Sequence, residues 1–136
     1  MVTDATLHLS IPVADLAAAR QFYEGDLGCR VGRERSTWID VWFFDMQITL
    51  HEEPSQVLPA GQQGVRHFGV VLHEAREFDA LIERLRETDT VWLSEPQDHT
   101  EAELSGKRAA KIADPSGNVI EIKYYPDVEE LMKPVG

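Results

Sequence analysis

Three observations predict an α+β fold built from two βαβββ modules. Short runs of alternating apolar and polar residues recur along the chain. Two stretches place apolar residues at helical spacing. The order strand, helix, strand, strand, strand occurs over about residues 5–51 and again over about 65–125. The 136 residues suit a single domain made of two such modules.

In the first module, ATLHLSIPV (residues 5–13) alternates, with Leu7, Leu9 and Ile11 on one face and His8 and Ser10 on the other. Asp15 then stands as an N-cap to LAAARQFYEGDLG, where Leu16, Ala19, Phe22 and Tyr23 recur at helical spacing and Gly25 and Gly28 mark the end. Three short strands follow, Cys29–Arg35, Thr37–Phe44 and Met46–His51, with the tightest turn at Asp45. Residues 52–64, rich in Pro, Gln and Gly, read as a linker.

The pattern then restarts. VRHFGVVL (65–72) alternates with His67 and Gly69 opposing Phe68 and Val70, and Glu74–Glu87 carries Phe78, Leu81, Ile82 and Leu85 at helical spacing. Strands are expected at Val91–Leu93, resuming toward His99, at Leu104–Ala113, and at Asn118–Tyr125. The last two are joined by Asp114-Pro115-Ser116-Gly117-Asn118, where Pro presets φ and Gly and Asn tolerate positive φ, so a hairpin is predicted. After it, Val119, Glu121 and Lys123 share one face and Ile120, Ile122 and Tyr124 the other. The tail, 126–136, reads as loop and loose turn.

Composition excludes several functions. A net charge of −11 argues against a nucleic-acid or anionic-membrane partner. One cysteine, Cys29, rules out an internal disulfide and a Cys-rich zinc site, and a buried thiol is expected there. Asp4 interrupts any signal-peptide pattern, and no run reaches the roughly 18 apolar residues of a membrane span, so the expected address is cytoplasmic.

Superposing the halves sets His67 against His8 and Glu121 against Gln47. Each module thus offers two polar residues on the strand face opposite its helix-covered face. With this order of elements, and through LHLSIPVADLAAARQFYEGDLG, RHFGVVL and DPSGNVIEI, the chain resembles the vicinal oxygen chelate superfamily from Leu7 to about Tyr125. That superfamily includes glyoxalase I, extradiol dioxygenases, fosfomycin resistance enzymes and bleomycin resistance proteins. The resemblance implies a cupped mixed sheet with helices on its outer face. It also implies one divalent metal ion (Fe, Ni, Zn, Mn or Co) held by His8, His67 and Glu121, with Gln47 at the variable fourth position, and a homodimer.

Elementary coordination chemistry agrees: two imidazoles and a carboxylate satisfy a divalent ion and leave positions open for a substrate. A single strand histidine is ordinarily a hydrogen-bonded structural residue, and it is the repeat-related placement of three suitable residues that favours ligation. At roughly 3.3 Å per residue, His51 lies about 13 Å from Gln47 and His73 about 20 Å from His67, too far to share their ions. Trp42 and Phe44 are candidates for an apolar substrate wall, and His99, in the polar loop DHTEAELSG, for a substrate contact. Tyr124, Tyr125, Trp38 and Trp92 are expected to pack. Arg33, Arg35, Lys107 and Arg108 are expected in solvent, and one of them near the cup would indicate an anionic substrate.

The leading expectation is a metal-dependent, glyoxalase-like lyase or isomerase acting on a small molecule with vicinal oxygens, with Glu121 both ligand and catalytic residue. Glyoxalase I generally has a carboxylate where this chain has Gln47, which favours an Fe(II) extradiol-type dioxygenase as the alternative. From another class, a metal-free drug- or metabolite-binding protein of the bleomycin-resistance kind remains open. Fosfomycin-type transfer fits less well, because this acidic chain supplies few of the basic residues that phosphonate recognition requires.

Overall fold

Parallel pairing of the first and last strands of each half sets the architecture. The computed structural model describes residues 4–98 and 106–134. They form two compact units, one comprising the chain up to Gly64 together with Asp114–Asn118, the other Val65–Ala113 and the chain from Val119. Each unit contains a four-stranded mixed sheet, and neither sheet closes into a barrel.

In the first unit, β1 (Leu7–Val13) runs parallel to β4 (Met46–Glu52), and β3 (Trp38–Phe43) and β2 (Arg30–Glu34) extend the sheet antiparallel in the order β1-β4-β3-β2. Alternation sends Val13, Ile39, Val41, Phe43, Ile48 and Leu50 to one face, where they are buried with Ala19, Phe22 and Tyr23 of the helical segment. Each such side chain contributes about 1.5–3 kcal/mol relative to exposure. That segment begins as α1 (Leu16–Arg20), whose N-cap Asp15 accepts from the Ala18 amide at 2.9 Å as expected. It continues as a π-helical stretch, Gln21–Asp26. The wider turn is found where the consecutive aromatics Phe22 and Tyr23 both reach the core.

The turn Asp114–Asn118 is built around one carboxylate. Asp114 accepts from the Ser116 and Asn118 amides at 2.8 and 2.9 Å, from Asn118 Nδ2 at 2.9 Å, and from the Tyr23 hydroxyl at 2.8 Å. Gly117 has φ +91°, and a Cβ there would lie 2.3 Å from the Leu58 carbonyl oxygen, so both conformation and space require glycine. Burial pushes the Tyr23 hydroxyl well above its ordinary pKa, and the Asp114 charge and hydrogen bond add to the shift.

The second unit repeats the order: β5 (Phe68–Leu72) is parallel to β8 (Val119–Tyr124), followed by β7 (Arg108–Ala113) and β6 (Val91–Asp98), both antiparallel to their neighbours. Helix α2 (Ala75–Arg86) buries Phe78, Ile82 and Leu85, and the buried side of its sheet includes Leu72, Ala110, Ile112, Ile120 and Ile122. The strand expected at Val91–Leu93 and resuming toward His99 is instead a single strand, β6, which runs to Asp98 through two register shifts.

Three other local readings change. Residues 52–64 contain two short 3-10 turns, Pro54–Gln56 and Ala60–Gln62. β5 starts at Phe68, one residue after His67. The tail forms a short helix, α3 (Val128–Met132), whose N-cap Asp127 accepts from the Glu129 amide at 2.9 Å. No helix among the described residues is long and apolar enough to cross a membrane. Cys29 is buried and free of disulfide bonding.

Candidate functional site

His67 and Glu121 meet on the open face of the second unit. His67 Nε2 lies 3.4 Å from Glu121 Oε1, and His67 Nδ1 lies 2.9 Å from the Val65 carbonyl. A carbonyl only accepts, so Nδ1 carries a proton and donates it to Val65, which directs Nε2 at the Glu121 carboxylate. The Nδ1 nitrogen is thus anchored to a backbone carbonyl, as in metal-binding histidines. A nitrogen and an oxygen each about 2.1 Å from a shared ion, at a tetrahedral angle, are separated by about 3.4 Å. The pair therefore fits a divalent cation. Lys123 Nζ also lies 3.4 Å from Glu121 Oε1.

Close strand approach supports this geometry. Gly69 pairs with Glu121 across β5 and β8, and a Cβ on it would lie 1.9 Å from the Glu121 carbonyl oxygen. An open depression of about 220 Å³ is lined there by His67, Gly69, Val71, Glu121 and Lys123 among others.

In the first unit, His8 is the register partner of Gln47 across β1 and β4. His8 is exposed, with Nε2 3.4 Å from the Ser10 hydroxyl oxygen. Gln47 Nε2 donates to Asp40 Oδ2 at 3.1 Å. Because a carboxylate only accepts, the amide nitrogen must face Asp40, and the amide oxygen is turned away from it. Asp40 is 1% exposed and also accepts from Arg33 Nε at 2.8 Å and Thr49 Oγ1 at 2.6 Å. Burial alone would raise its pKa. The hydrogen bonds from Thr49 and Arg33, the Arg33 charge and the Gln47 amide outweigh burial and hold the carboxyl below its ordinary value.

The four expected site residues thus form two pairs, His8 with Gln47 and His67 with Glu121. Among the described residues, no group of three or more His, Cys, Asp or Glu is placed to hold a metal ion. Trp42 lies on the same sheet face as its register partner Gln47. Phe44 is half exposed in the β3–β4 turn with φ +55° and packs edge-on against Phe43. His99 lies outside the described residues. Tyr124 packs against Phe78, Trp92 takes the Arg86 guanidinium over its ring, and Trp38 takes that of Arg33. Lys107, expected in solvent, is buried between Glu130 and the Tyr125 ring, and Arg108 pairs with Asp79.

Asp40 does not stand out in the sequence as a site residue, and Lys123 is legible there only as sharing a strand face with Glu121. The available signal for Asp40 was a carboxylate amid the apolar run Trp38–Phe43, on the face shared with Trp42.

The family model described as Glyoxalase/Bleomycin resistance protein/Dioxygenase superfamily matches residues 6–122. Among solved structures, a glyoxalase/bleomycin resistance protein/dioxygenase from Alicyclobacillus acidocaldarius is 27% identical, with a TM-score of 0.84 over 94% of this chain and 96% of that one. The fosfomycin resistance protein FosX from Listeria monocytogenes (15% identity, TM-score 0.74, 96% and 98% coverage) shares the fold. So does lactoylglutathione lyase from Agrobacterium tumefaciens (16%, 0.66, 91% and 96%). No curated protein gives a significant match.

Proposed function

Because the chain belongs to the Glyoxalase/Bleomycin resistance protein/Dioxygenase superfamily, we propose that it is a metal-dependent, glyoxalase-like lyase or isomerase acting on a small molecule with vicinal oxygens. In this reading His8, His67 and Glu121 hold one divalent ion, Gln47 contributes through its amide oxygen, and the protein works as a cytoplasmic homodimer. The observation that carries it is the His67–Glu121 pair, 3.4 Å apart, with His67 Nδ1 anchored on the Val65 carbonyl so that Nε2 faces the carboxylate.

The bound ion would supply Lewis-acid polarisation of two adjacent substrate oxygens. The Val65 carbonyl fixes the His67 tautomer, and Asp40 fixes the orientation of the Gln47 amide. Glu121, on detaching from the ion, would take a proton from a substrate carbon beside a carbonyl and return it to the neighbouring position. Gln47 has no basic oxygen to share that transfer, so Glu121 serves both directions.

That same glutamine supports a second reading, an Fe(II) extradiol-type dioxygenase, in which two histidines and one carboxylate are the expected donors. The ammonium of Lys123 beside Glu121 supports a third, a metal-free binding protein, since it neutralises the carboxylate without an ion.

Elemental analysis of protein purified without chelator or affinity metal separates the three. Near-stoichiometric nickel or zinc is expected and iron would favour the dioxygenase. His67→Ala is expected to lose the metal, and no metal in the wild type would favour the binding protein. Sedimentation at micromolar concentration tests the dimer, and a stable monomer would refute it.

A further inference from the structure

The lysines of this acidic chain are Lys107, Lys111, Lys123 and Lys133, and two of them flank Glu121. Lys123 Nζ lies 3.4 Å from Glu121 Oε1 and lines the same depression as His67 and Glu121. Lys111 is the register partner of Glu121 across β7 and β8, so strand alternation puts it on the same face. Lys107 and Lys133, by contrast, both pair with Glu130.

The Lys123 ammonium already neutralises the Glu121 carboxylate, and Lys111 adds a second positive charge to the same sheet face. When a divalent cation takes Glu121, like charge displaces Lys123 from the carboxylate, and a neutral substrate would leave both ammoniums uncompensated. An anionic substrate removes that conflict. We propose that Lys111 and Lys123 form an anion-recognition element beside the metal pair, and that the substrate bears a carboxylate or comparable anionic group next to its chelating oxygens. The inference rests on the metal-dependent reading above and narrows its substrate class.

The test is calorimetric titration of wild type, Lys123→Gln, Lys123→Arg and the Lys111→Gln/Lys123→Gln double variant. Mn²⁺ is titrated first, then oxalate onto the Mn²⁺-loaded proteins, with oxamide as a neutral molecule of the same shape. Mn²⁺ is expected to bind the glutamine variants at least as tightly as wild type, because a competing cation has been removed. Oxalate is expected to bind Lys123→Gln about tenfold more weakly and the double variant more weakly still, with most affinity retained by Lys123→Arg. Oxamide should not distinguish the proteins. Equal oxalate affinity in wild type and double variant overturns the inference, as does a lowered melting temperature with oxalate affinity unchanged, which marks a structural ion pair. Should Mn²⁺ fail to bind wild type, the metal-dependent reading fails by itself. Oxalate titration of the metal-free proteins then decides the role of the lysines by the same comparison.

Discussion

Replacing Gly69 by alanine places a methyl group 1.9 Å from the Glu121 carbonyl oxygen, 2.8 Å from its carbonyl carbon and 3.1 Å from its amide nitrogen. All three are backbone atoms, so no flexible side chain can yield. Relief requires β5 to retreat from β8, its only neighbour in the sheet. Overpacking of this kind costs about 1–3 kcal/mol, and each ladder hydrogen bond lost adds about 0.5–1.5 kcal/mol. The expected loss is about 2–4 kcal/mol, a fall in Tm of about 6–15 °C for a chain of this length. His67 precedes Gly69 by two residues, so the same retreat opens the His67–Glu121 pair, and Mn²⁺ affinity should drop about tenfold or more. Thermal unfolding by circular dichroism and Mn²⁺ calorimetry measure the two effects. Gly61→Ala is the control, because a Cβ there meets nothing within 4 Å. If Gly69→Ala melts within about 2 °C of wild type and binds Mn²⁺ equally well, the close approach is not what positions the pair, and the reasoning fails.

Two further substitutions test the buried network residues. The lowered pKa of Asp40 means its contribution is fully present above the unfolded carboxyl value of about 3.9 and is lost as pH falls through the lower folded value. Asp40→Asn should therefore be less stable at pH 7 by roughly 1–3 kcal/mol and should lose less on acidification, read from urea midpoints between pH 7 and 3. For Tyr23 the sign reverses: its raised pKa gives stability present below about 10 and lost as pH climbs toward the folded value. Tyr23→Phe should cost about 1–2 kcal/mol at neutral pH and flatten the alkaline decline, which denaturation at pH 9 to 11 would reveal.

Much of this fold could be read from local pattern. Asp15 announced α1, the Pro-Ser-Gly-Asn turn announced the last hairpin, and strand alternation put Ile120 and Ile122 in the core and Glu121 on the opposite face. Each of those signals acts within a few residues. What was illegible depends on partners distant in sequence. Asp40 looks like an ordinary strand acid until register brings Gln47 and Thr49 to it, and Lys111 has no visible relation to Glu121 until β7 is laid against β8. The short helix α3 escaped although Val128, Leu131 and Met132 stand at helical spacing behind the N-cap Asp127, because five residues carry a single turn's worth of signal. His67 was placed inside its strand by alternation, but its ring bonds back to Val65 and the ladder begins only at Phe68.

The loop that closes the final hairpin also governs how this chain can be cut. Asp114–Asn118 is counted with the amino-terminal unit, where its carboxylate receives the Tyr23 hydroxyl and Gly117 presses on Leu58. Severing the polypeptide after Gly64 would not release two self-sufficient halves. The leading fragment would carry an enclosed phenol with its acceptor removed, and the trailing fragment a loop stripped of the surface that shapes it. Although the pattern of elements is written twice, the copies are not interchangeable cassettes, and shuffling one without the other should yield insoluble protein.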